Sequence, residues 1–107
     1  MSKPLLVLCT VPDEECGRRI AGGILERRLA ACVTVGAEAR SLFRWKGKIS
    51  CESEHILFIK TTAVHYSALE THIREEHPYE VPEIIALPIA EGLPSYLDWI
   101  EQETAAE

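Results

Sequence analysis

Two long β-rich runs separated by one tight turn limit what this chain can fold into. Ala30–Phe43 is rich in Val, Thr and Ala, and Ile49–Thr62 is built around the apolar centre Ile56-Leu57-Phe58-Ile59. Between them, Trp45-Lys46-Gly47-Lys48 reads as a hairpin turn in which Gly47 supplies a positive φ at no steric cost. Each run is about 14 residues, against a usual strand of roughly 5–6. The other two strand candidates are about half as long, so the tip of the ribbon must overhang the small sheet.

The flanking segments supply that sheet. Leu5–Val11 is a continuous apolar run and reads as a buried strand covered on both faces. Pro12-Asp13 then opens a helix, with Asp13 as N-cap, running to about Leu29. Cys16, Ile20, Ile24 and Leu25 form its apolar stripe. Gly22 and Gly23 lie inside it at a cost of about 1 kcal/mol each relative to alanine, which points to close approach of the helix to the sheet. A second helix spans about Ala63–Glu76, with Tyr66, Leu69 and Ile73 inward and Pro78 as its stop. Ile84–Ile89 reads as a short, fully buried fourth strand. Gly92 and Pro94 open a last helix with Tyr96, Leu97 and Ile100 as its apolar stripe.

The order is β-α-β-β-α-β plus a C-terminal helix, in one domain spanning 1–107. Right-handed crossovers leave essentially one compact solution, the α+β ferredoxin-like antiparallel sheet with strand order 4-1-3-2 and both crossover helices on one face. That solution is incomplete in a single copy. The second strand is a long edge with unpaired backbone groups, and the other sheet face also carries apolar side chains. Phe43, Trp45 and Ile49 at the hairpin end would be stranded in water. Packing of identical copies removes these defects, and a head-to-tail contact that closes gives a ring, with a trimer the smallest beyond a dimer. Phe43, Trp45 and Ile49 are therefore the expected interface anchors.

Charge and cysteine usage narrow the function. The formal net charge is −6, which disfavours nucleic acid as a partner and attracts cations weakly. The run Leu5–Cys9 is too short to cross a bilayer and leads straight into Pro12-Asp13-Glu14-Glu15, unlike a signal peptide. The expectation is a cytoplasmic protein with no membrane partner. Cys9, Cys16, Cys32 and Cys51 show no C-x-x-C pair and read as free thiols in a reducing compartment. No Gly-rich phosphate loop follows the first strand, and no nucleophile–base spacing is recognisable, so the chain does not read as an enzyme.

In this topology, the end of strand one, the start of helix one and the segment His77-Pro78-Tyr79-Glu80-Val81-Pro82-Glu83 meet at one end of the sheet. The two prolines hold His77 and Val81 extended. Cys9, His77 and Glu83 thus converge, and thiolate with imidazole suits copper or zinc while carboxylate suits harder ions. Each has a plainer reading: Cys9 as a small core residue, His77 as a cap on the second helix, and Glu83 as a partner for a lysine or a backbone donor. Cys16 reads as an inert thiol, opposed by Glu14 and Glu15.

Several stretches carry a family likeness: Val7-Leu8-Cys9-Thr10-Val11-Pro12, Leu29-Ala30-Ala31-Cys32-Val33, Trp45-Lys46-Gly47-Lys48-Ile49, Ile59-Lys60-Thr61-Thr62, His77-Pro78-Tyr79-Glu80-Val81-Pro82-Glu83-Ile84 and Tyr96-Leu97-Asp98-Trp99-Ile100. With these motifs in this order, the chain resembles the CutA family of divalent-cation tolerance proteins over nearly its whole length. The resemblance implies a cytoplasmic homotrimer similar in architecture to the PII signalling proteins, and a link to copper or other divalent metal ions. It places metal binding at Cys9, His77 and Glu83. Glu76 stands where some relatives carry a further histidine, which would weaken copper binding or favour harder ions. The alternative function is a PII-like signalling or scaffold trimer that binds a small metabolite or a protein in clefts between subunits.

Overall fold

The computed structural model describes residues 2–106. Along the chain run β1 (Pro4–Val11), α1 (Glu14–Glu26), β2 (Cys32–Trp45), β3 (Lys48–Thr62), a single 3-10 turn (Ala63–His65), α2 (Tyr66–Glu76), β4 (Ile84–Pro88) and α3 (Pro94–Thr104). The strands form one antiparallel sheet in the order β2-β3-β1-β4. This is the expected topology.

The hydrophobic core lies between one sheet face and the two crossover helices. Val7, Cys9 and Val11 of β1 and Leu57 and Ile59 of β3 meet Cys16, Ile20 and Ile24 of α1 and Leu69 and Ile73 of α2. Strand alternation sends their neighbours to the opposite face. There Leu6 and Leu8 are only half-buried, and their β4 partners Leu87 and Ile85 are exposed. The expectation that β1 is covered on both faces and β4 fully buried is therefore corrected for the single chain: the second face lacks a covering layer.

Helix α1 starts as expected, the Asp13 carboxylate accepting from the Cys16 N–H at 2.8 Å. It ends at Glu26, earlier than expected, because Arg28 takes a left-handed φ of 55°. The Arg28 N–H then donates to the Leu25 carbonyl and the Leu29 N–H to that of Ile24, a Schellman closure. Leu25 is 44% exposed and leaves the apolar stripe, where Gly17 and Ala21 take its place. The glycines are also reassigned. Gly17 is the residue that faces the sheet, against Leu57 and Val11, whereas Gly22 is open and Gly23 abuts His72 of α2.

The hairpin turn has positive φ at both Lys46 (50°) and Gly47 (80°), the twist-matched geometry for two-residue loops. One irregularity interrupts the β2–β3 register between Val35 and Glu38. There Gly36 approaches the Ile56 carbonyl so closely that a Cβ would sit 3.0 Å from it, and His55 Nδ1 donates to the Gly36 carbonyl at 2.9 Å. β1 reaches along β3 only as far as the pair Val11↔His55. From Lys48 to Glu54, β3 is paired with β2 alone among the described residues. This overhang stretches the molecule to 44 × 26 × 23 Å.

Candidate functional site

Three segments meet beyond the end of β1: the Thr10–Asp13 corner, the overhanging part of β3, and the connector from His77 to Glu83. His77 ends α2 in an extended conformation (φ −84°, ψ 136°), as the following proline requires. Its backbone N–H still caps α2 through the Ile73 carbonyl at 2.9 Å. Its buried ring is used at both nitrogens. Nε2 donates to the Thr10 carbonyl at 2.7 Å, and Nδ1 accepts the Tyr79 backbone N–H at 3.1 Å. One neutral tautomer satisfies both bonds.

Tyr79 extends the network. Its ring lies 4.6 Å from that of His77, tilted by 54°, and its hydroxyl donates to Glu54 Oε2 at 2.8 Å. Glu54 is only 5% exposed. Burial first, and then the bond to the Glu54 carboxylate, push the Tyr79 phenol well above its ordinary range. A second tie joins α1 to the end of α2. Arg19 bridges to the Glu76 carboxylate at 2.9 Å and donates to its carbonyl at 3.3 Å, while its other contact is the Cys16 sulfur at 3.6 Å. Burial raises the Cys16 thiol, and nearby Arg19 works against that shift.

Cys9 is fully buried, and its thiol faces the Thr10 carbonyl at 3.7 Å. Burial, then the negative charge of Glu83, push it up to about 12. Glu83 itself is exposed. The three expected metal residues thus reach the same end of the sheet but do not form a ligand set. The thiol is sealed in the core, and both imidazole nitrogens are engaged in hydrogen bonds. Among the described residues, no group of three or more His, Cys, Asp and Glu side chains is placed to hold an ion. In this arrangement Cys9, His77 and Glu83 do not fit a divalent cation.

Sequence reading missed Glu54 and Thr10. Glu54 lies in a polar stretch, Glu52-Ser53-Glu54, and is buried only because the connector folds over it. Its signal was the tyrosine of the connector, a residue able to cover a carboxylate and bond to it. Beside this network opens a cleft of about 790 Å³. Phe43, Trp45 and Glu52 of the hairpin line one wall, and Pro78, Tyr79 and Glu80 of the connector line the other. Of the expected interface anchors, Phe43 and Trp45 line this cleft half-exposed, and Ile49 is 71% exposed.

Fold and site together define a small ferredoxin-like α+β protein, with an overhanging hairpin and a buried His–Tyr–Glu network at the end of its first strand. The chain belongs to the CutA1 divalent ion tolerance protein family, whose model matches residues 5–103. It is 46% identical over 96 residues to a divalent-cation tolerance protein CutA of Pectobacterium atrosepticum, covering 90% of this chain and 87% of that one. It is likewise 46% identical over 99 residues to the CutA of Thermus thermophilus, covering 92% and 96%. A crystal structure of CutA from Xylella fastidiosa superposes with a TM-score of 0.94 at 43% identity, covering 97% of this chain and all of that one.

Proposed function

We propose that this chain is a divalent-cation tolerance protein that works as a closed homotrimer, acting by binding rather than by catalysis. One observation carries the assembly: the hairpin holds Leu42 and Ile49 about 70% exposed, beside half-exposed Phe43 and Trp45. Burying such side chains yields about 25 cal/mol per Å² of apolar area, and sister copies are the surface always available to them. Three chains of −6 each would carry −18, a field that concentrates divalent cations such as copper(II) around the assembly. Because Cys9, His77 and Glu83 do not fit an ion in the single chain, this reading assigns uptake to accessible carboxylates. Native mass spectrometry with and without added copper(II) tests it. Trimers that gain copper equally in wild type and in a Cys9→Ser, His77→Ala variant are expected. Single subunits, or uptake lost in that variant, would reject it.

A second reading, a PII-like signalling or scaffold trimer that binds a metabolite or a protein in clefts between subunits, is supported by the stiff, proline-flanked connector that His77 pins to the end of β1. A thermal-shift screen separates the two: one stabilising metabolite, with metals inert, selects the second.

A further inference from the structure

The β2 strand changes face where the hairpin leaves the sheet. Val33 pairs with Ile59 and Val35 with Leu57, and Ile59 and Leu57 belong to the core under the helices. At this level the odd-numbered residues of both strands point toward α1 and α2. Gly36 and Ala37 then stand together opposite Ile56, and pairing resumes at Glu38↔His55. This is a β-bulge, one extra residue in one strand. Beyond it Phe43 pairs with Ser50 and Trp45 with Lys48. Even-numbered residues of β3 keep to the face away from the helices, the face of Leu6 and Leu8. Phe43 and Trp45 therefore join Leu6, Leu8, Ile85 and Leu87 on the uncovered face. The bulge absorbs the odd residue that would otherwise turn either the two valines or the two aromatic side chains the wrong way.

We propose that His55 is the positioning residue of the assembly: its bond to the Gly36 carbonyl pins the bulge at the root of the hairpin and so aims Phe43 and Trp45 at a sister copy. A carbonyl only accepts, so Nδ1 carries the proton in this 2.9 Å bond. Gly36 fits because its Cα comes so close to β3 that a Cβ would sit 3.0 Å from the Ile56 carbonyl oxygen and 3.2 Å from the Phe58 ring. The place of the joint matters. Val11↔His55 is the last pair that β1 makes with β3, so the bulge lies where three strands become two. A bulge bends its strand and increases the local twist, and a two-stranded ribbon follows that bend freely. Trp45 lies about 23 Å along the strand from Glu38, and a swing of about 10° there carries the indole about 4 Å. A packed interface does not absorb such a shift. This inference rests on the homotrimer reading above, since it names what aims the hairpin in that assembly.

Sedimentation across a concentration series, with circular dichroism and amide exchange on the same samples, tests it. His55→Leu removes the donor and is expected to raise the concentration at which the assembly dissociates by about fivefold to tenfold, with a native far-UV spectrum. His55→Asn places an amide N–H where Nδ1 stands and should return that concentration to within about twofold of wild type. Deletion of Ala37 removes the bulge and keeps every other pair of the ribbon, so a folded chain should run as single subunits where wild type is assembled. His55→Leu assembling like wild type, His55→Asn behaving like His55→Leu, or a folded deletion chain of wild-type mass overturns the proposal. The two full-length His55 variants decide it alone where the deletion chain does not fold. A wild type that is itself a single subunit rejects the assembly reading instead. Amide exchange then reads the latch directly: hairpin amides between Glu38 and Glu54 that exchange no faster in His55→Leu overturn it.

Discussion

His77 Nε2 donates to the carbonyl oxygen of Thr10 at 2.7 Å, across 67 residues of chain. Both residues are buried, so this bond fixes the connector to the end of β1 where water cannot substitute. Removing the ring leaves the weak Cys9 thiol at 3.7 Å as the remaining side-chain donor to the Thr10 carbonyl among the described residues. An unsatisfied buried acceptor costs about 1–3 kcal/mol, and the lost ring adds a cavity. His77→Ala is therefore expected to lower stability by about 2–4 kcal/mol in chemical denaturation, in metal-free buffer. A variant as stable as wild type would remove the structural role and return the imidazole to the pool of free ligands.

The Tyr79–Glu54 pair gives a pH prediction. The folded protein holds the phenol above its ordinary range of about 10, and the Cys9 thiol is raised from 9.0 to about 12. A raised folded pKa means that the protonated form belongs to the native state. The stability it contributes is complete below the unfolded pKa and is lost as pH rises through the folded one. Stability should hold near pH 8 and fall from about pH 9 upward. The Cys9 part is at most about 4 kcal/mol by pH 12. Cys9→Ala should flatten the lower part of that fall and Tyr79→Phe the upper part. In native protein, a thiol reagent at pH 8 should modify exposed Cys51 and leave buried Cys9 untouched. Unfolding curves that do not change between pH 8 and pH 11 would contradict both placements.

Gly22 and Gly23 are adjacent in sequence and opposite in consequence. A Cβ on Gly22 meets nothing within 4 Å, whereas one on Gly23 would sit 2.8 Å from Cε1 and Nε2 of His72. His72 is buried, takes an N–H from Arg27 at Nδ1 (3.3 Å), and leaves Nε2 without a partner among the described residues. Gly22→Ala should stabilise the protein by about 0.5–1 kcal/mol through helix propensity. Gly23→Ala should destabilise it, since overpacking costs about 1–3 kcal/mol and exceeds that gain. Adding His72→Ala to Gly23→Ala should give a cycle with favourable coupling. Equal effects of the two alanines on the melting temperature would show that α1 and α2 do not meet at this point.

These contrasts mark how far the sequence could be read. Strand order, both crossover helices, the Asp13 cap and the Gly47 turn were legible, because each rests on local periodicity or on a residue with one conformational role. The convergence of Cys9, His77 and Glu83 at one end of the sheet was also legible, from topology. Their partners were not: whether an imidazole nitrogen faces a carbonyl or open space is set by contacts across 67 residues. The same holds for the two glycines. Spacing could not tell that Gly17 faces the sheet while Gly23 faces a histidine of the other helix. For β4, apolar composition predicted burial that the single chain does not supply, and the missing cover is what the assembly would provide.

The hairpin carries the last prediction. Trp45 pairs with Lys48 across a turn whose Lys46 holds a positive φ of 50°, a conformation that costs an ordinary side chain about 1 kcal/mol and suits asparagine better. Lys46→Asn should therefore stabilise the hairpin by several tenths of a kcal/mol without touching Phe43 or Ile49. Trp45→Ala acts on the assembly instead. If copies bury the indole fully, truncation costs on the order of 3–5 kcal/mol per site, and dilution should then release single subunits at concentrations where wild type stays assembled. Sedimentation across a concentration series reads both effects at once, with Lys46→Asn expected to keep the wild-type mass. A Trp45→Ala protein with unchanged mass and unchanged melting would place the indole outside any interface and leave Leu42 and Ile49 to account for the assembly.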